Sequence, residues 1–164
     1  MAIYMKYDAI KGDVSASGHE QWIELSSFKY DITRAISAQT GSKGDRETSA
    51  PTIGEVVITK RTDRATVGLL GEAYQGHGKK VQIDFCKTDK GQVNAYAKWG
   101  LENVLISGYS FSTAEATGPG AEHPRESISL NFTVVTFTEY GSDVTGKIGN
   151  PSTIAYDAAQ AKVL

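Results

Sequence analysis

Apolar and polar side chains alternate most cleanly between Arg125 and Tyr140, RESISLNFTVVTFTEY. Ile128, Leu130, Phe132 and Val134 fall on one phase, and Ser127, Ser129, Asn131 and Thr133 on the other. A repeat of two marks a half-buried strand. Val135 and Phe137 then make the second face apolar as well. At about 3.3 Å per residue the run would reach roughly 50 Å, longer than an ordinary globular strand. It must either cross two packed sheets or extend beyond its own domain. One greasy face and one small, neutral, polar face imply a sheet with water, or another chain, on one side.

The same reading extends along the chain. Residues 2–8 form a first strand with Ile3, Met5 and Tyr7 on one face. A turn-rich segment, Lys11 to Gly18, leads into HEQWIELSSFKYDIT, where Ile23 and Leu25 hold one phase and Phe28, Tyr30 and Ile32 the other. The switch falls at Ser26–Ser27, where a bulge or bend would let one strand serve two sheets. Ser37 to Thr52 shows no apolar periodicity and reads as a structureless loop, a type that is usually functional or disordered at this length. Ile53 to Lys60 is a strand. Thr62 or Asp63 is a plausible N-cap and Gly76 a stop, with Val67, Leu70 and Tyr74 as the apolar stripe of a single helix. Gly68 and Gly71 weaken that helix unless they mark a close approach.

Next, VQIDFCK alternates, with Val81, Ile83 and Phe85 expected inside and Gln82, Asp84 and Cys86 outside. A hairpin follows at Asp89–Lys90–Gly91, then strands over Val93 to Lys98 and Leu101 to Thr113. Beyond Tyr140 the chain is turn-rich, with one short strand or helix expected after Pro151. Seven or so strands around one helix predict an all-β sandwich or barrel.

Composition narrows the function classes. A chain of 164 residues is most simply one domain. Its net charge of −2 offers no basic excess for nucleic acid. The opening MAIYMKYDAI is too short and too charged for a signal peptide, and no apolar run approaches membrane length. A lone cysteine, Cys86, rules out an internal disulfide framework.

No motif carries catalysis. Asp13, Ser15, Ser17, Gly18 and Glu24 match the spacing of a calcium loop, but their flanks read as strands and carboxylates are too few. Gly141 to Lys147 fits the first part of a phosphate loop, yet Ile148 stands where a Ser or Thr must hold magnesium, and Gly149-Asn150-Pro151 forbids the helix. His19, His77 and His123 sit in loops without metal-ligand spacing and are expected to be solvated. Cys86 has only Lys87 beside it to favour a thiolate. No cofactor and no metal are expected.

Taken together, several segments resemble the Hcp family, the tube protein of the bacterial type VI secretion system, related to contractile phage tail-tube proteins. They are HEQWIELSSFKYDI, SAPTIGEVVITKRTDRATVGLLGEAY, KKVQIDFCKT, YAKWGLENVLISGYSFST, HPRESISLNFTVVTFTEY and GKIG. The resemblance covers residues 1–149 as one tube domain and leaves 150–164 as a tail, expected to be ordered against the domain or a neighbour. The loop before the long strand departs from the family by adding Glu115 and Glu122.

The resemblance implies a two-sheet β-barrel or sandwich flanked by one helix, a homo-hexameric ring, and rings stacked into a tube. It further implies a contractile sheath, a spike protein of the VgrG type and small effectors in the lumen. Assembly in the cytoplasm and export without a signal peptide follow from it, with no membrane insertion and no enzyme activity. A ring needs a heterologous interface that closes, and a lumen suits small neutral side chains such as Ser127, Ser129, Asn131 and Thr133. The Ser37–Thr52 loop would serve ring or stacking contacts through Gly41, Lys43, Asp45, Arg46 and Glu47. The alternative is a carbohydrate-type binding sandwich with Trp22, Trp99 and Tyr109 as stacking platforms.

Overall fold

The computed structural model describes residues 1–38, 46–113, 123–142 and 148–164, and of residues 38, 46–48 and 142 it describes the backbone alone. Two antiparallel layers share the core. The larger has the order β2 (Ile23–Leu25), β1 (Ala2–Tyr7), β9 (Lys79–Asp89), the first half of β10 (Gln92–Ser112), β12 (Val134–Ser142), β13 (Ile148–Asp157) and β14 (Lys162–Val163). The smaller has the order β3 (Ser27–Lys29), β8 (Val56–Arg61), β11 (Arg125–Asn131) and the second half of β10.

Continuous chain joins the layers on both sides. Ser26 links β2 to β3, and its N–H donates to Thr59 O at 2.7 Å, as the phase switch at Ser26–Ser27 predicts. On the other side β10 runs for 21 residues through both layers. The sequence divides it into two strands because the phase resets near Gly100. The ladder instead absorbs the reset with irregularities at Ala95/Ala97, Leu101/Val104 and Ile106/Gly108 and a positive φ of 53° at Asn103. The Arg125–Tyr140 run also crosses layers, breaking at Phe132–Thr133 between β11 and β12. No ladder pairs β2 with β8 among the described residues, so the body is a sandwich rather than a closed barrel.

Met5, Ile23, Val56, Ile58, Leu69, Ile83, Val104, Ile128 and Leu130 are wholly buried between the layers. The helix α1 (Thr66–Gln75) packs against β10 through Leu69. Its entrance differs from expectation. Ala65 holds the N-cap position without a side-chain bond, while Asp63 Oδ1 accepts the Ala65 N–H at 2.9 Å from outside the helix. Its stop is as expected, with Gly76 left-handed and its N–H on Glu72 O. The buried stripe is wrong by one position: Thr66 and Leu69 face in, whereas Val67 and Tyr74 are exposed. Gly68 does lie against a neighbour, the side chain of Ile10, but Gly71 faces open space.

The segment read as structureless is partly a ribbon. Here β4 (Ile32–Thr33) pairs with β7 (Thr52–Ile53), and β5 (Ile36–Ala38) pairs with β6 (Arg46–Thr48). Ile32, Thr33, Ile36, Ser37 and Thr52 are all exposed, so these short strands offer little burial pattern to read. The chain after Pro151 belongs to β13, ten residues laid along β12 and followed by β14.

Candidate functional site

Alternation in β11 puts Glu126, Ile128 and Leu130 inward and Ser127 and Ser129 outward. Register then lines up small hydroxyls across the smaller layer: Ser27 opposite Thr59, Thr59 opposite Ser127, Ser127 opposite Ser110. Ser27 Oγ and Thr59 Oγ1 are hydrogen-bonded at 2.5 Å. Asn131 ends the strand, exposed and opposite Leu105. Thr133 sits apart at the corner between layers, its N–H on Glu102 O and its carbonyl accepting from Ala158. Three of the four predicted face residues therefore share one wall, and the fourth does not.

Of the predicted loop residues, Arg46 and Glu47 lie in β6, opposite Ala38 and Ser37. Gly41, Lys43 and Asp45 lie outside the described residues.

A surface that sequence reasoning missed lies on the inner face of the larger layer. Two apolar rows cross it by register. Trp99, Phe137 and Ile154 form one, and Leu101, Val135, Tyr156 and Val163 the other. Burial falls off along the second row: Leu101 is 1% exposed, Val135 5% and Val163 60%. The cause is cover. The smaller layer has four strands and ends before β12–β14, so the apolar phase continues past the element that should bury it. With Tyr30, Ile32 and Ile53 opposite, the residues of both rows other than Leu101 line a trough of about 250 Å³. The Trp99 ring lies tilted against Phe137, with centroids 4.7 Å apart, and against Tyr30 at 4.9 Å. The signal available in sequence was the doubled apolar face at Val135 and Phe137.

Two buried polar clusters correct further expectations. His19 is 7% exposed, not solvated, and Nε2–H donates to Asp84 Oδ2 at 2.8 Å. Asp84 and Cys86 keep the outward phase but are buried rather than solvent-facing. The loop before β2 folds over them, with His19 edge-on to Trp22 and tilted on Tyr4. Cys86 Sγ stands 3.7 Å from the same Nε2. Cysteine and carboxylate thus compete for one ring nitrogen, unlike a nucleophile relay, which uses opposite nitrogens. Burial, aided by Asp84, also pushes the thiol up to about 11. A thiol so protonated is a poor nucleophile. The second cluster joins Lys60 Nζ to Glu126 Oε2 and to Asp63 Oδ1, each at 2.7 Å, while Thr66 Oγ1 donates to Glu126 Oε2 at 2.8 Å.

No group of three His, Cys, Asp or Glu among the described residues could hold a metal ion. Asp13 Oδ2 accepts the Arg64 N–H, in a loop flanked by strands rather than calcium-loop helices. The proposed sugar platforms do not converge. Trp99 lies within the aromatic cluster, Tyr109 packs on the core, and Trp22 leans on His19 across the other face. No described helix is long and apolar enough to cross a membrane.

Comparison with known proteins bears on the whole arrangement. The family model for the type VI secretion system effector Hcp matches residues 4–139. The structure of a type six secretion system protein is 26% identical, with 99% of each chain covered and a TM-score of 0.88. Hcp1 from Salmonella typhimurium is 21% identical, with 99% of this chain and 98% of that chain covered and a TM-score of 0.77. The secreted protein Hcp3 from Pseudomonas aeruginosa is 19% identical, with 95% and 97% covered and a TM-score of 0.62. No curated protein matches.

Proposed function

This chain belongs to the Hcp family of type VI secretion effectors, and from that premise we propose that it is a tube subunit rather than an enzyme. Six copies close into a ring, and rings stack into a conduit for small effectors. A contractile sheath drives the tube behind a spike protein of the VgrG type. The subunit assembles in the bacterial cytoplasm and leaves through the apparatus itself.

The observation that carries this reading is the uncovered trough. Its rows are written in the apolar phase of a core, yet Ile154 and Val163 are each 60% exposed. Contiguous apolar surface of this kind marks a contact with another chain. A second copy docked head-to-tail would complete the cover, and such an interface closes into a ring when the rotation permits. The hydroxyl wall around Ser127 and Ser129 then faces the bore, with Asn131 at its end and Thr133 left at the corner. Neutral hydroxyls keep that wall wet without holding any one cargo. The segment from β4 to β7, whose sequence carries Gly41, Lys43, Asp45, Arg46 and Glu47, serves the contact with the adjoining ring and sets register more than affinity.

Light scattering on the purified chain tests the reading. The expected mass is near six chains, and Ile154→Glu should reduce it to one while the melting transition survives. A wild-type chain that stays single at every concentration overturns it.

A further inference from the structure

The outer wall of the smaller layer is not uniformly neutral. At the level after the hydroxyl row, Arg61 on β8 stands directly opposite Arg125 on β11, and Arg125 opposite Ser112 on β10. Lys60 and Glu126 turn inward, so their neighbours Arg61 and Arg125 turn outward, and both are exposed. Like charges at directly opposed positions repel. Neither guanidinium forms an ion pair among the described residues. Arg61 also borders a cleft lined by Asp13, Glu24 and Asp63, but none of the three reaches ion-pair distance. At the other end of the same wall the outward charge is mixed: Glu55 accepts a hydrogen bond from Ser107 Oγ, and Lys29 on β3, opposite Val57, pairs with Asp31 at 3.7 Å. The wall is therefore zoned along its strands, with Glu55 and the Lys29–Asp31 ion pair at one end, hydroxyls between and two arginines, unpaired among the described residues, at the other.

We propose that the Arg61–Arg125 pair is a docking point for acidic polypeptide carried in the bore. The proposal rests on the tube reading, which turns this wall toward the cargo. Charge complementarity selects the occupant: two guanidinia side by side match carboxylates in planar, bidentate geometry better than any neutral group. A ring repeats the pair once per subunit, and a collar of like cations concentrates anions within the enclosed volume. The hydroxyls between add no charge of their own, and Lys29 at the far end is already matched by Asp31, so an acidic cargo is held at the arginine end.

The test uses the assembled full chain and a fluorescein-labelled peptide rich in Asp and Glu, followed by anisotropy. A peptide of the same length in Asn and Gln and a short single-stranded DNA serve as comparisons. The acidic peptide should bind, weaken as salt rises, and lose about tenfold in affinity with R61Q/R125Q, while R61K/R125K retains most of it. Equal binding of the neutral peptide, or no change with R61Q/R125Q in chains that melt like wild type, overturns the proposal. DNA bound as tightly as peptide overturns the polypeptide assignment. The mass by light scattering separates the two readings. A single chain sinks the tube, whereas a ring indifferent to acidic peptide sinks only the collar.

Discussion

Lys60 Nζ lies 2.7 Å from Glu126 Oε2, with both side chains wholly withdrawn from solvent. The two residues are cross-strand partners on β8 and β11, and Thr66, the first residue of α1, donates to the same carboxylate oxygen. One ion pair thus pins the helix to the end of the smaller layer. Removing Lys60 strands the Glu126 charge in the interior, whereas removing Glu126 leaves the ammonium on Asp63 alone. Lys60→Ala should cost about 3–5 kcal/mol, read by urea melting. The double variant Lys60→Met with Glu126→Leu should recover most of that loss. If it melts as low as the single variant, the pair contributes more than charge compensation.

His19 and Asp84 hold the loop before β2 against the larger layer. His19→Ala leaves a buried carboxylate with only the Gln82 amide as side-chain partner and should cost about 1–3 kcal/mol. Asp84→Asn should cost a similar amount. The double variant should lose less than the sum, because the singles break the same bond. Strict additivity in urea melts would show that the two side chains act independently.

High pH should destabilise the fold. Burial raises the Cys86 thiol from 9.0 to about 11, and burial followed by Glu72 raises the Tyr7 phenol from 10.0 to about 12. A group whose folded pKa is raised keeps its full contribution below the unfolded pKa and loses it as pH passes the folded value. Stability should therefore be level up to about pH 9 and fall between pH 9 and 12. Cys86→Val should flatten the first part of that fall, worth roughly 2 kcal/mol, in melts taken at successive pH values. A thermal midpoint indifferent to pH across that window would contradict both assignments.

Two glycines should respond in opposite directions. A Cβ at Gly12 would collide with the main-chain carbonyl of Trp22, in a loop whose Gly12 N–H donates to Gln21 O. Gly12→Ala should destabilise by about 1–3 kcal/mol, as overpacking does. Gly71, inside α1, has nothing within 4 Å of that position. There Ala should stabilise by about 0.5–1 kcal/mol through helix propensity. Calorimetric midpoints moving in the same direction would refute the contrast.

Deleting residues 41–47 shortens the connection between β5 and β6 and spares the trough and the core. The chain should fold and form rings that no longer stack. Full-length tubes in electron micrographs of this variant would show that the ribbon does not join rings.

Wherever one face of a strand is buried by the opposite layer, the alternation of side chains determined the result. Ile3, Met5 and Tyr7 in β1, Val56 and Ile58 in β8, and Ile128 and Leu130 in β11 are inward as their phase requires. The order of segments likewise carried the family. A local pattern cannot tell a bend from an end, so the 21 residues of β10 read as two strands. Nor does it show what arrives from elsewhere in the chain. Asp84 and Cys86 look solvent-facing until the loop bearing His19 covers them. Lys60 and Glu126 sit on apolar phases and become tolerable only as partners 66 positions apart in the chain. The trough is the converse case. Its residues follow the core pattern faithfully, and only the width of the opposing layer decides that they lie open. Burial belongs to the pair of surfaces that meet, and a sequence states only one of them at a time.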